Sequence, residues 1–152
     1  MISALLILTS VIVAADGQWA ALRQGQICEA ATQSINAVYK GRLPGRASVA
    51  FDAGGPRHGQ FAGLLSRAPR PGAAIILYVG NQPFLLLSRG SMVWSRGPKQ
   101  EQAIIMAMRA NSQMRIEASG ADNRRIIDRY SLNGAPLAID AAAACAAALS
   151  TR

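Results

Sequence analysis

The chain has one histidine, His58, so a serine–histidine–aspartate triad would have to be built around it. Ser66 and Asp52 are the nearby residues of the other two types. In such a triad the histidine takes the proton of the serine hydroxyl while the aspartate orients the imidazole ring. Gly-Pro-Arg-His-Gly around His58 has the composition of an exposed loop, and Ser66 does not lie in a nucleophile-elbow motif. We therefore predict that His58 is not catalytic.

Two carboxyl groups that share a cleft can perform hydrolysis by acid and base catalysis, and Asp52 with Glu117 is one such pair in this sequence. The eight acidic residues are isolated from one another, whereas a loop that binds a hard cation needs clustered carboxylates. The sequence therefore predicts no metal site, no cofactor, no catalytic residue and no enzymatic activity. A periplasmic hydrolase with an unrecognised carboxylate-based site stays open as the alternative.

Arginines stand near both ends of a predicted hairpin, and their guanidinium groups can bind carboxylates or phosphates through paired hydrogen bonds. Arg67 and Arg70 precede the hairpin in the segment Arg-Ala-Pro-Arg-Pro, and Arg89 follows it. We predict that Arg67, Arg70 and Arg89 form an anion-binding rim. Ordinary solvated strand ends are the alternative interpretation of the same residues.

The net charge of +8 results from 16 basic and 8 acidic side chains and favours anionic partners. Lipid headgroups, lipopolysaccharide phosphates and polysaccharides are partners of this kind, and a protein partner is equally compatible with the charge. The basic residues are scattered, and only Arg124 and Arg125 are adjacent among the arginines, so the sequence predicts no specific nucleic-acid binding. A bias in composition that leaves solvated arginines would give the same charge.

Residues 1–15 form an uncharged, apolar leader that is too short to span a bilayer. A transmembrane helix needs roughly 20 apolar residues, whereas the apolar core of a signal peptide needs about 7–15. Val-Ala-Ala at residues 13–15 matches the small-x-small pattern that signal peptidase cleaves. We predict a signal peptide over residues 1–15, a single domain over residues 16–152, and a periplasmic or secreted location. A buried N-terminal strand is the alternative for the leader.

The two cysteines, Cys28 and Cys145, lie near opposite ends of the mature chain. In an oxidising compartment such a pair normally forms a disulfide. Their spacing excludes a CxxC redox motif, and no further cysteine or histidine stands near either one to complete a zinc site. We predict one disulfide between Cys28 and Cys145; two unrelated buried thiols are the alternative.

Alternating apolar residues and short apolar runs bounded by Gly and Pro predict a series of strands. Residues 73–79 are predicted to form a strand buried on both faces, and residues 84–88 return beside it as a hairpin. In the last predicted strand, Ile126, Asp128, Tyr130 and Leu132 share one face. Residues 53–59 are predicted to form a loop, and the pattern over residues 18–31 leaves helix and strand open. The other predicted strands cover residues 34–40, 47–52, 92–94, 114–118 and 125–132.

Two helices are predicted in the C-terminal half. Residues 99–110 follow Gly97 and Pro98, with Ile104, Ile105 and Met108 as an apolar stripe. Residues 135–149 are rich in alanine and favour a helix, in which Leu137, Ile139 and Cys145 are available to pack. Asp140 and the weak hydrophobicity of alanine exclude this helix as a membrane anchor. The predicted fold is mainly β, a β-sandwich or rolled antiparallel sheet with two helices in the C-terminal half.

The C-terminal third carries a resemblance to a known family. A helix at residues 103–109 leads to a strand at residues 114–118, a turn at Gly120, Ser-Leu-Asn-Gly at residues 131–134 and Ala-Ile-Asp at residues 138–140. This order resembles the closing segment of the invasion-associated locus B family of alphaproteobacterial periplasmic proteins. The resemblance implies a secreted or periplasmic, non-enzymatic and envelope-associated β-sandwich, linked in some members to host-cell invasion. It supplies no binding residues.

Overall fold

The computed structural model describes residues 10–36 and 42–151, which form a mainly β fold with both helices in the C-terminal half, as predicted. The elements are β1 (Val11–Asp16), β2 (Trp19–Gln24), β3 (Ile27–Gln33), β4 (Arg46–Asp52), β5 (His58–Leu64), β6 (Ile75–Val79), β7 (Gln82–Arg89), β8 (Met92–Trp94), α1 (Pro98–Ala110), β9 (Gln113–Ser119), β10 (Arg125–Ser131) and α2 (Ala135–Ser150).

The described strands form one antiparallel sheet in the order β1-β2-β3-β4-β5-β8-β7-β6-β9-β10. The sheet rolls so that its two halves face each other. A Cβ atom added to Gly63 of β5 would lie 3.0 Å from the Val93 side chain and 3.4 Å from that of Ile116 on β9. The backbone N–H of Ile35 donates to the Arg129 carbonyl across the same closure. The rolled form of the predicted fold is therefore the one observed.

The core lies between the two halves, and most strands place alternate side chains in it. In β10, Ile126, Asp128 and Tyr130 are buried while Arg125 and Arg129 are exposed, which confirms the predicted faces of this strand. The other inward-facing strand residues with less than two per cent of their surface exposed are Trp19, Ala21, Cys28, Ala30, Ala47, Val49, Phe61, Ile75, Leu77, Val79, Val93 and Ile116.

Helix α2 packs against the inner side of the N-terminal strands and is joined to them by a disulfide. Cys145 of α2 is bonded to Cys28 of β3, with the two Cα atoms 6.1 Å apart, so the predicted pairing is present. The helix begins at Ala135 with Pro136 in its first turn, after Gly134 in a left-handed conformation. Its buried side chains are Ala135, Ala138, Ile139, Ala142 and Ala146.

Several predictions from the sequence differ from the observed elements. Residues 19–33 form β2 and β3 although their pattern was weak. Strand β5 begins at His58, inside the predicted loop. Strand β6 alternates between buried and half-buried residues because only one of its faces is covered, so full burial was wrong. Leu137 is exposed and does not pack.

Two further predictions reach outside the described residues. Residues 34–36, the described part of the predicted strand at 34–40, are not in a strand, and the rest of that prediction, residues 37–40, lies outside the described residues. The predicted leader falls mostly on residues 1–9. Its described end forms β1, an edge strand with Val11, Ile12 and Val13 exposed, rather than the buried strand that was the alternative. Within the described ranges, no helix is long and apolar enough to cross a membrane.

Gly134 provides a test of how the N-terminal segment meets α2. Its φ of +90° favours glycine, and an added Cβ would lie 1.8 Å from the Asp16 carbonyl oxygen. Gly72 has a similar φ of +77° with open space around it. We expect Gly134→Ala to lower the free energy of unfolding by about 1–3 kcal/mol more than Gly72→Ala, because only the first adds a clash. Urea denaturation of both variants measures the difference, and equal losses would contradict this packing.

Candidate functional site

A cleft of about 190 Å³ opens where the start of β10 meets the segment after β5. Arg67 and Ser66 come from that segment, Arg125 and Asp128 from β10, and Arg42 from the described residues before β4. Three arginines therefore line a cavity that also has a carboxylate in its wall. Ser34, Asn36, Leu43, Pro44 and Ile127 complete the lining.

Arg67 is fixed in this wall by the turn between β9 and β10. Its Nη1 atom lies 2.8 Å from Oδ2 of Asp122, and its Nη2 atom donates to the Arg125 carbonyl at 2.7 Å. The backbone N–H of Arg124 lowers the pKa of Asp122, and the charge of Arg67 adds to this effect against the opposing influence of burial. Asp122 thus stays ionised and holds the Arg67 side chain in one orientation.

The three arginines predicted to form a rim occupy different surroundings. Arg67 lines the cleft, and Arg70 donates from Nη2 to Oδ1 of Asn123 at 2.9 Å on the neighbouring turn. Arg89 lies at the end of β7, where it pairs in register with Met92 on the outer face of the sheet. The structure therefore brings Arg67 together with Arg42 and Arg125 rather than with Arg89. Anion binding by Arg67, Arg70 and Arg89 stays a prediction.

The buried carboxylate of Asp128 organises the base of the cleft. The Ser66 backbone N–H donates to Oδ2 at 2.9 Å and the Ser66 hydroxyl donates to Oδ1 at 2.5 Å. A buried charge is costly unless such donors satisfy it. The adjacent Tyr130 hydroxyl is buried without a hydrogen-bond partner among the described residues. Burial raises the pKa of Tyr130, with a smaller contribution from the charge of Asp128, so this phenol stays protonated.

The structure keeps apart the three residues that were considered for a His58 triad. His58 and Ser66 lie at opposite ends of β5, and a seven-residue strand separates its ends by roughly 20 Å. The Ser66 hydroxyl is bonded to Asp128, and Asp52 is bonded to Arg57. His58 is exposed at the start of its strand. These three residues do not form a proton relay.

The carboxylate pair considered for hydrolysis is likewise engaged elsewhere. Glu117 lies on β9, where Oε1 is 3.4 Å from Nε of Arg115 and Oε2 is 3.2 Å from Nη2 of Arg125. Asp52 lies at the end of β4 with Oδ1 2.9 Å from Nη2 of Arg57. In the part of the chain that the structure describes, no group of three or more His, Cys, Asp or Glu side chains could hold a metal ion.

Sequence reasoning missed the cleft because its residues come from distant segments. Arg42 and Arg125 are 83 positions apart, and nothing in their spacing indicates a shared cavity. One signal was present. The alternation of β10 placed Asp128 on the same face as Ile126 and Tyr130, and a carboxylate at a core-facing position requires dedicated donors. That requirement is met by Ser66.

Comparison with known proteins supports the fold described above, an antiparallel rolled sheet closed by a C-terminal helix. No family model matches the sequence, and no curated protein matches it. Among solved structures, the crystal structure of invasion associated protein B from Bartonella henselae is similar, with a TM-score of 0.64 and 19% sequence identity. The match covers 93% of this chain and 100% of that one. The likeness in fold thus extends well beyond the C-terminal third.

Asp52 provides a pH-dependent test of these ion pairs. Burial would raise its pKa, but hydrogen bonds from Arg57 and the Arg57 charge outweigh burial and hold the pKa below the ordinary 3.8. A lowered carboxyl pKa stabilises the folded state above the unfolded pKa, and this stabilisation is lost as the pH falls through the folded value. We expect Arg57→Ala to be less stable than wild type near neutral pH, with the difference shrinking below about pH 4.

Urea denaturation across a pH series measures this effect. Arg96→Ala is the matched control, because the Arg96 side chain makes no ion pair within the described ranges. Its difference from wild type should not depend on pH over this interval. A difference for Arg57→Ala that stays constant as Asp52 becomes protonated would show that the pair does not stabilise the fold.

Proposed function

We propose that this chain is an exported, non-enzymatic, envelope-associated protein of the invasion-associated locus B type, which binds a protein partner or an anionic surface. The observation that carries the proposal is the likeness in fold to invasion associated protein B, which spans the full length of that chain. The resemblance of the C-terminal segment in sequence supports the same assignment. The net charge of +8 supports an anionic partner.

Export is supported by the position of the disulfide and of the leader. The Cys28–Cys145 bond is stable in an oxidising compartment and rare in a reducing one. Cleavage after Ala15 would remove five of the six residues of β1, a largely exposed edge strand. Gln18 would stay attached, because its backbone N–H donates to the Asn133 carbonyl at 2.9 Å. Of the residues that cleavage removes, Val11, Ile12 and Val13 are exposed, and Ala14 packs against the core.

The ion pairs and hydrogen bonds that the carboxylates form within the protein support a binding role rather than catalysis. Glu29, Asp52, Glu117, Asp122 and Asp140 each form an ion pair with at least one arginine. The carboxylate of Asp128 accepts two hydrogen bonds from Ser66, and that of Glu101 accepts one from Ser95. These carboxylates are engaged by partners within the protein, while the surplus arginines leave the surface positive.

The intact mass of protein recovered from the periplasm of an expression host tests the proposal. We expect the mass of residues 16–152, and a gain of two hydrogens on reduction, because one disulfide takes up both cysteines. A cytoplasmic expression lacking the leader is the control and should carry two free thiols until it is oxidised. Recovery of only the full-length chain with free thiols in the cytoplasm would contradict an exported protein.

A further inference from the structure

The outer face of the central strands β5, β8 and β7 is apolar, although this face of the sheet is turned to solvent. Cross-strand pairs place Leu64 beside Met92, and Ala62 beside Trp94, which in turn pairs with Leu87. Leu85 lies two residues before Leu87 and so on the same face. The alternate residues Phe61, Val93 and Leu86 point into the core. The outer residues therefore do not contribute to folding the core.

These side chains form one continuous surface, which we call the outer apolar patch, consisting of Leu64, Leu85, Leu87, Met92 and Trp94. The exposed fractions are 43% for Leu64, 45% for Leu85, 41% for Leu87 and 60% for Met92, and Trp94 is half-buried. A solvated face of an antiparallel sheet is normally polar. A contiguous exposed apolar surface marks an interaction site.

Arginines border this patch within a single row of the sheet. The register aligns Arg46 of β4 with Leu64 of β5, Leu64 with Met92 of β8, and Met92 with Arg89 of β7. Arg46 also forms an ion pair with Glu29, whereas Arg89 is exposed and forms no ion pair within the described ranges. A basic group thus stands at each end of an apolar row.

The charge of the patch decides what kind of partner fits it. A second copy would bring the Arg46 and Arg89 borders of two chains together, each chain with a net charge of +8, and like charges repel. A bilayer with anionic headgroups complements both the bordering arginines and the apolar side chains of the patch. Its phosphates attract the arginines, and its interface accommodates tryptophan and aliphatic side chains. Leucine, methionine and tryptophan flanked by arginine is the composition of a surface that inserts shallowly into an interface.

We propose that the outer apolar patch docks this protein on the surface of an anionic phospholipid bilayer, with Arg46 and Arg89 at the headgroups and Met92, Leu87 and Trp94 in the interface. The proposal rests on the proposed function in that it names the anionic surface and the residues that meet it.

Co-sedimentation with vesicles tests the proposal on the folded, oxidised protein. The vesicles contain phosphatidylcholine with about one third phosphatidylglycerol, and vesicles of phosphatidylcholine alone are compared. We expect Met92→Glu to weaken partitioning at least about tenfold, because transfer of a methionine side chain to an apolar phase corresponds to a change of that size. Met106→Glu on α1 is the matched control, since Met106 is 71% exposed and the change in charge is identical.

A second pair of variants separates the basic border from general charge. Arg89→Ala and Arg124→Ala each remove one positive charge, and only Arg89 borders the patch. We expect Arg89→Ala to weaken partitioning about fivefold and Arg124→Ala to have a clearly smaller effect. Trp94 should be quenched by brominated lipid, whereas Trp19, which is buried and bonded to the Ser131 carbonyl, should not be.

Three results would overturn the docking surface. Equal losses for Met92→Glu and Met106→Glu would reduce binding to unspecific charge, and the proposed function would stand. Absence of wild-type binding to anionic vesicles, with export intact, would reject the lipid partner alone. A wild-type dimer that Met92→Glu dissociates, without vesicle binding, would make the patch an interface between copies of the chain.

Discussion

The disulfide between Cys28 and Cys145 holds α2 against the inner side of the N-terminal strands, and the arrangement of the whole domain follows from that attachment. Four of the five buried residues of α2 are alanines, with Ile139 as the exception. Small side chains allow the helix to approach the sheet closely, but each buries little apolar surface. The covalent bond therefore supplies stability that packing alone would not. In the chain-entropy model, joining residues 117 positions apart contributes roughly 4–5 kcal/mol as an upper value.

Two surfaces result from this way of covering the sheet. The inner side of the strands is buried by α2, by α1 and by the opposite half of the rolled sheet. The outer side stays open, and in β5, β8 and β7 it is apolar with arginine at its borders. Most carboxylates are meanwhile taken up by ion pairs and hydrogen bonds within the protein. The unpaired charge on the surface is thus mainly positive, which suits an anionic partner.

The local sequence pattern was sufficient to predict those elements in which apolar residues alternate clearly or in which Gly and Pro indicate the ends. Sequence pattern predicted the hairpin of β6 and β7, both helices and the two faces of β10. The spacing of apolar residues indicates the type of each element, and Gly and Pro indicate where it ends. Helix and strand were left open for residues 18–31 because alanine, which is neither strongly apolar nor β-favouring, occupies several core positions of β2 and β3. Leu137 was predicted to pack, yet the buried face of α2 is set by Cys145, which places Ala138 and Ala142 inward.

The disulfide itself was predicted from the number of cysteines and from the oxidising compartment that the leader implies. The arginine cleft was not, since Arg42, Arg67 and Arg125 meet only through the closure of the sheet.

Hydrogen exchange of the backbone amides, compared between the oxidised protein and the protein with Cys28 and Cys145 reduced, tests the role of this attachment most directly. If the disulfide holds α2 in place, reduction will accelerate exchange in α2 and in β2 and β3, while β6 and β9 in the opposite half keep their protection. If α2 stays as protected after reduction as before, its packing alone is sufficient and the disulfide does not organise the domain.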